Sequence, residues 1–267
     1  MATRKYLAIG AAALVAAALV WGGYWWTVEN HRRKEAQQRA AQRAKALEEG
    51  LKDLRSQTRL DAIASVRKGL DDPTNRHKVG REIPAWDSYR VRLAQCNDLV
   101  ETLSRGAAQG RRGQLGPTAV QGFTLSTSLF GDVTDAAQKS LDEMSAVLKD
   151  DKFSLDQLSQ LDRLRWRSEF YNSIMKLLVG YVDDFSLTLR LLAVNSATPQ
   201  DRLAAFDLAA GAFERSAVRN GAKRLEYVMR EAHKAEDDSP TRERMGATLL
   251  RLKIPPSAPE PGKKTKT

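Results

Sequence analysis

The sequence predicts an all-α protein: a single N-terminal transmembrane helix, a helical stalk, and an antiparallel helical bundle built on a long C-terminal helix hairpin. Three observations carry that expectation. Residues 6–28, YLAIGAAALVAAALVWGGYWWTV, hold no acidic or basic side chain over 23 residues. That length lets a tilted helix cross a hydrocarbon core of about 30 Å at 1.5 Å per residue. A helical pattern runs from Ser154 to about Val194, in which the stripe Leu161 to Leu192 recurs in steps of three and four, apolar at every position but Ser168, the period of a buried helix. Alanine, leucine, arginine, glutamate and glutamine dominate, with aromatics at 7%, a balance that favours helix over sheet. The expected division is an anchor over 1–28, a basic stalk over 29–57, a bundle over 58–253 and a disordered tail over 254–267.

The anchor carries its own interface markers. Trp21, Tyr24, Trp25 and Trp26 crowd its C-terminal end, where amphipathic rings settle at headgroup level. A cleaved signal would use Arg4 and Lys5 as its basic end and Ala16–Ala18 as a small-residue cleavage site. The apolar character continues ten residues past Ala18, so a retained anchor is the reading adopted. Ala8, Ala12 and Ala16, and again Ala18 and Gly22, recur every four residues, a spacing that permits close helix approach and homo-oligomers.

The net charge of +10 has an uneven distribution. Residues 29–60 hold nine basic and five acidic side chains, and 253–267 hold four lysines and one glutamate. The stretch 61–252 is close to neutral, with 28 basic and 27 acidic residues. Excess charge beside the membrane suits anionic lipid and argues against a nucleic-acid partner. Arg32, Arg33, Lys34 and Arg39 are the expected headgroup contacts. Arg4–Lys5, the apolar span, the YWW terminus and HRRK at 31–34 resemble the N-terminal anchors of many bacterial inner-membrane proteins with periplasmic domains. The resemblance covers about 35 residues.

Glu29–Arg55 is proline-free and lacks any apolar stripe in its first half, the pattern of a solvent-spanning stalk. Leu47, Leu51 and Leu54 form a short seam, and Leu60, Ile63, Val66 and Leu70 point roughly 150° away at about 100° per residue. A break is therefore expected near Ser56–Thr58, with Thr58 and Asp61 capping the restart. Asp71–Pro84 reads as a loop between two prolines. Trp86, Tyr89, Leu93, Cys96, Val100 and Leu103 then form a single core-facing helical stripe. Gly106–Pro117 reads as a glycine-rich loop. Thr118–Gly131 is either a short helix or an irregular apolar segment, and Asp132 is the expected cap of the helix that follows.

Ser154 with Gln157 signals a capping box, and Leu161 through Leu192 supply a stripe widened by Phe170, Ile174, Leu177 and Tyr181. A helix so broadly apolar belongs at the centre of a bundle. Thr198–Pro199 opens a partner helix expected to run to about Ala235, with a phase slip near Gly221. The short connection implies an antiparallel hairpin. Ser239–Pro240 starts a last helix carrying Met245, Leu249 and Leu252.

No residue pattern specifies chemistry. Cys96 sits in an apolar stripe with no histidine placed to activate it. His31, His77 and His233 are far apart, and no HExxH or CxxC exists, so no catalytic residue, metal ligand or cofactor is assigned. Gly106–Gly116 with Arg111 and Arg112 lacks the GK[ST] ending of a phosphate loop and reads as a connector. Asp183–Asp184 reads as part of a solvated face, Arg163, Arg165 and Arg167 as charges spread around a helix, and Trp86 and Trp166 as core anchors.

The function expected from these residues is a non-catalytic, membrane-anchored scaffold or protein-interaction module of the bacterial envelope, with lipid bound through residues 6–28 and a protein partner or second copy bound by the bundle. The alternatives are a periplasmic ligand-sensing module and an α-helical cell-wall enzyme. Counting basic flanks, two residues before the span against six after it, places the domain in the cytoplasm. Long domains translocate largely regardless of flanking charge, and a basic N-terminus before an apolar run matches an uncleaved export signal. The periplasm is the side adopted.

Overall fold

The computed structural model describes the backbone of residues 2–53, 73–149, 154–216 and 219–256, and within these ranges the side chains of 25–52, 78–149, 154–216 and 221–256. The described residues form helices without strands: α1 (Ala2–Asp53), α2 (Pro73–Glu82), α3 (Trp86–Ala108), α4 (Arg112–Val147), α5 (Leu155–Asn195), α6 (Pro199–Arg215), α7 (Arg219–Ala235) and α8 (Ser239–Arg251). The all-α class is as the composition predicted.

α5 is the axis of the bundle and packs against α1, α3, α4, α6 and α7. Its start is sharply defined: the Ser154 hydroxyl accepts from the Gln157 N–H at 3.2 Å, and the Gln157 side chain accepts from the Ser154 N–H at 2.8 Å. Tyr171, Ile174, Leu178, Tyr181, Phe185, Leu189 and Leu192 are all buried along it.

The main partner of α5 is α4, where the sequence pointed to the segment after residue 199. Gly122 lies against Phe185, Thr134 against Met175 and Glu143 against Arg167. Rising numbers in one helix meet falling numbers in the other, so the two are antiparallel. Contact is closest at Gly122, where a Cβ would fall 2.2 Å from Phe185 ring carbons.

Several sequence expectations are corrected. The loop expected over Asp71–Pro84 contains α2, because Pro73 occupies a first-turn position where a missing N–H costs nothing. The loop expected over Gly106–Pro117 shrinks to residues 109–111, and α4 begins at Arg112. Pro117 is accommodated within the first two turns of α4. α4 then continues through 118–131 and past Asp132, which is no cap: its carboxylate pairs with Arg92 at 2.6 Å, fastening α3 to α4. The single helix expected from Pro199 to Ala235 is two, with Ser216 ending the first in extended backbone. The phase slip at Gly221 is thereby resolved. A Cβ at Gly221 would lie 2.9 Å from Thr127, so α7 is offset to let its backbone approach α4.

Other elements follow the sequence closely. The six-residue stripe Trp86 to Leu103 is buried throughout. Thr198 caps α6 by accepting from the Asp201 N–H at 3.1 Å, and Asp238 caps α8 through the Thr241 N–H at 3.0 Å. Trp86 packs edge-on against Phe170 with centroids 5.3 Å apart, and Phe170 stacks on Trp166. Buried Glu82 joins α2 to α5 through Arg167 at 3.3 Å, while Arg167 also reaches Glu143 of α4 at 3.2 Å.

Helix α1 includes the apolar run 6–28 and continues without interruption into the stalk. The side chains of residues 6–24, and so most of the candidate span, lie outside those described. Among the described residues no helix is long and apolar enough to cross a membrane. The expected break at Ser56–Thr58, the Thr58–Asp61 cap, the apolar set Leu60 to Leu70 and tail residues 257–267 also lie outside the described residues.

Gly122→Ala should lower stability by about 1–3 kcal/mol, because the methyl meets a fully buried ring that cannot yield cheaply. Gly180→Ala, in the same bundle with nothing near its added methyl, should be neutral or stabilise by up to about 1 kcal/mol. Thermal unfolding of the two variants beside the parent checks the pair.

Candidate functional site

The densest polar constellation lies where α1 enters the bundle. Two connections, 196–198 between α5 and α6 and 236–238 between α7 and α8, meet there. Arg202, on the first turn of α6, is 3% exposed, and Glu236, just past α7, is 1% exposed. They form a two-pronged pair, with Arg202 Nε donating to one Glu236 oxygen at 2.7 Å and Nη2 to the other at 2.6 Å. This planar fork is the strongest ionic geometry proteins use.

The pair's remaining hydrogen-bonding capacity is satisfied locally. Arg202 Nη1 donates to the Ser196 and Ala197 carbonyls at 3.0 and 3.2 Å. The Asp237 and Asp238 N–H groups donate to Glu236, each at 3.0 Å. Arg242 donates to the Glu236 carbonyl. Burial works to lower the Arg202 pKa, but Glu236 outweighs it and the pKa rises.

Helix α1 joins this cluster through Arg43. Its guanidinium donates to the Val194 carbonyl at 3.3 Å, the Ala235 carbonyl at 3.1 Å and Asp237 at 2.8 Å. Asp237 also faces Arg202 at 3.5 Å, so one carboxylate separates two guanidinium groups. Burial and the neighbouring Arg202 depress the Arg43 pKa. For Asp237, burial pushes upward, yet Arg43 and Arg202 together hold it below the ordinary carboxylate value. Below this latch Leu47 and Leu51 are seated in the core, and Gly50 lets α1 close on Leu191. The end of the stalk is thus a structural part of the bundle.

The residues the sequence assigned to the membrane lie further out on α1. Trp21 and Tyr24 fall outside the described side chains. Trp25 and Trp26 are 64% and 67% exposed and touch no core residue. Arg32, Arg33 and Lys34 are exposed; Arg33 pairs with Glu29 at 3.2 Å, while Arg32 and Lys34 have no ionic partner among the described residues. Arg39 differs from these. It pairs with Glu35 at 3.1 Å and reaches Asp237 at 3.7 Å, so it borders the latch.

Among the described residues the remaining candidates show no reactive arrangement. Cys96 is buried, and burial raises its thiol pKa to about 12, which keeps it from being a thiolate at neutral pH. His31 sits beside Glu35 on the exposed stalk at 3.1 Å, and the His77 side chain lies outside the described residues. His233 is half-buried, its pKa lowered by burial and then by Arg242. No group of three or more metal-ligating side chains occurs among the described residues. The aspartates expected on a solvated face are divided: Asp183 pairs with Arg224, whereas Asp184 is buried. Helix α5 packs against α4 as well as against the segments after residue 199, so its polar face is not left wet as in a two-helix hairpin.

Sequence reasoning missed the Arg202–Glu236 pair. One signal was present, since Arg202 falls four residues before Phe206 on the buried stripe of α6. Its partner 34 residues away has no marker. No family model matches this chain, and no curated protein or solved structure matches it significantly.

Arg202→Leu should destabilise the domain by about 3–5 kcal/mol, because Glu236 is left charged and buried. The double variant Arg202→Met with Glu236→Leu should lose markedly less. Chemical denaturation of both variants makes the comparison. Acid provides an independent check through Asp237 and Glu82, where burial is outweighed by arginines and both carboxyls are held low. Groups with depressed folded pKa values stabilise above the unfolded value of about 4 and lose that contribution as pH falls through the folded value. Unfolding midpoints should be flat near neutrality and fall below about pH 4.

Proposed function

We propose that this protein is a single-pass, membrane-anchored scaffold or protein-interaction module of the bacterial inner membrane, without catalytic activity, whose helical bundle stands in the periplasm. The observation that carries the reading is the continuity of α1. One helix contains the apolar run 6–28 and ends as part of the bundle core, with Leu47 and Leu51 buried and Arg43 latched to Asp237. A rigid joint of this kind fixes the orientation of the bundle relative to an anchor, which a scaffold needs and a loosely tethered enzyme does not.

Dimensions support the same view. From Val28 to Arg43 the helix rises about 22 Å, and α5 extends about 60 Å beyond that level. α1 runs antiparallel to α5, since Arg43 meets Val194 and Gly50 meets Leu191. The α4–α5 tip is therefore the end furthest from the anchor. Leu141, Leu148, Leu155 and Leu158 are exposed there, Leu155 at 83%. An apolar tip at the end of a tethered rod favours a protein partner.

Carbonate washing of membranes should leave the full chain in the pellet, and its release would overturn the anchor. Alkaline phosphatase fused after residue 252 should be active, while green fluorescent protein at that position should stay dark. The reverse pair would place the scaffold on the cytoplasmic side.

A further inference from the structure

We propose that the turn between α3 and α4, carrying Arg111 and Arg112, is a second membrane contact, taking anionic lipid headgroups and setting the base of the bundle down on the bilayer. The proposal rests on the anchor reading above and adds a docked orientation to it. In the sequence this stretch, GAAQGRRGQLGP, was a glycine-rich connector without evident use.

The fold carries the turn to the anchor's end of the bundle. Gly116 abuts Leu192 and Leu208, so the first turn of α4 is level with the end of α5. Arg43 of α1 is fastened at that same level through the Val194 carbonyl. Arg112 lies four residues beyond Gly116, about 6 Å nearer the membrane. An extended arginine side chain adds roughly 6 Å more.

For a helix normal to the bilayer, Val28 lies about 22 Å beyond Arg43, which leaves the Arg112 guanidinium roughly 10 Å short of that level. Headgroups fill about 5–8 Å of this distance. What remains is within the ~8 Å over which charges interact at physiological salt. An ordinary helix tilt of about 20° toward this side closes it further.

Electrostatics at the base point the same way. Arg111 and Arg112 are exposed, and among the described residues neither has an acidic partner. They stand at the start of a helix with no acidic residue in its first turn and no side-chain cap, where their charge adds to the positive end of the helix dipole. Several acidic groups at this end are engaged elsewhere: Glu236 with Arg202, Asp237 with Arg43, Asp238 with the Thr241 N–H, and Asp201 with Thr198. Gly110, at φ 68°, makes the turn that presents both arginines.

The test uses the full chain in lipid nanodiscs, with Gln109→Cys labelled by a donor fluorophore and the acceptor on lipid headgroups. Cys96 is buried and remains unlabelled in the folded chain. Energy transfer should be higher in discs containing phosphatidylglycerol than in phosphatidylcholine alone, and 0.5 M salt should remove the difference. Arg111→Gln with Arg112→Gln should lower the ratio of docked to undocked chains about 30-fold and leave the unfolding midpoint unchanged. Inorganic phosphate at 10 mM should have no effect. Equal transfer in the two lipids, or in variant and parent, overturns the proposal. Competition by phosphate also overturns it, by making the turn a site for the free anion. A chain that leaves the discs altogether overturns the anchor reading and this proposal together, whereas a retained chain with no lipid-dependent transfer overturns this proposal alone.

Discussion

The fold depends on the burial of α5. Its apolar side chains cover nearly half its circumference over most of 41 residues, and no single neighbouring helix can cover so wide a face. Five partners share it: α4 runs along most of the length, α3 meets it at Phe170, α7 at Asp183 and α1 at Leu191. A strict antiparallel pair would leave Asp184, Ser186 and Thr188 in water, but all three are buried. The Thr188 hydroxyl bonds back to the Asp184 carbonyl at 2.9 Å, meeting its hydrogen-bonding need within the helix. The close seat of Phe185 on Gly122 follows from the same crowding, since a bulky ring fits between two long helices only where one of them has no side chain.

The second constraint is electrostatic and lies at one end. Taking Arg202 and Glu236 out of water carries a large desolvation penalty, which the two-pronged contact and four backbone partners offset. Such pairs add little net stability relative to an apolar core, but they tolerate few alternative arrangements. Here the gain is positional. The pair holds the 196–198 and 236–238 connections together, and Asp237 projects from that platform toward Arg43. The helix α1 is thereby fixed in place where it meets the bundle.

The ends of the molecule differ in chemistry. Arginines crowd the end where α1 leaves, some locked into the latch and others exposed. The opposite tip presents leucines. The core between them is conventional, with Phe123, Tyr181, Phe185 and Phe206 fully buried and one cysteine shielded from ionisation.

The sequence by itself determined whatever repeats with helical period or obeys local capping chemistry. The stripe Trp86 to Leu103, the Ser154–Gln157 box, the Thr198 and Pro240 helix starts, and α5 as the centre were all legible, because each depends on residues within a few turns of one another. Tertiary structure decided the rest. Glycine and proline in 106–117 signal a loop locally, yet burying Leu115 and Ala119 against neighbouring helices extends α4 through most of that stretch. The dominance of α4 over the C-terminal hairpin as the partner of α5 had no local marker, since both pairings present similar apolar stripes. The Arg202–Glu236–Asp237–Arg43 latch joins residues up to 194 positions apart. Charges so distant in sequence become neighbours only when helix packing brings their loops to one end.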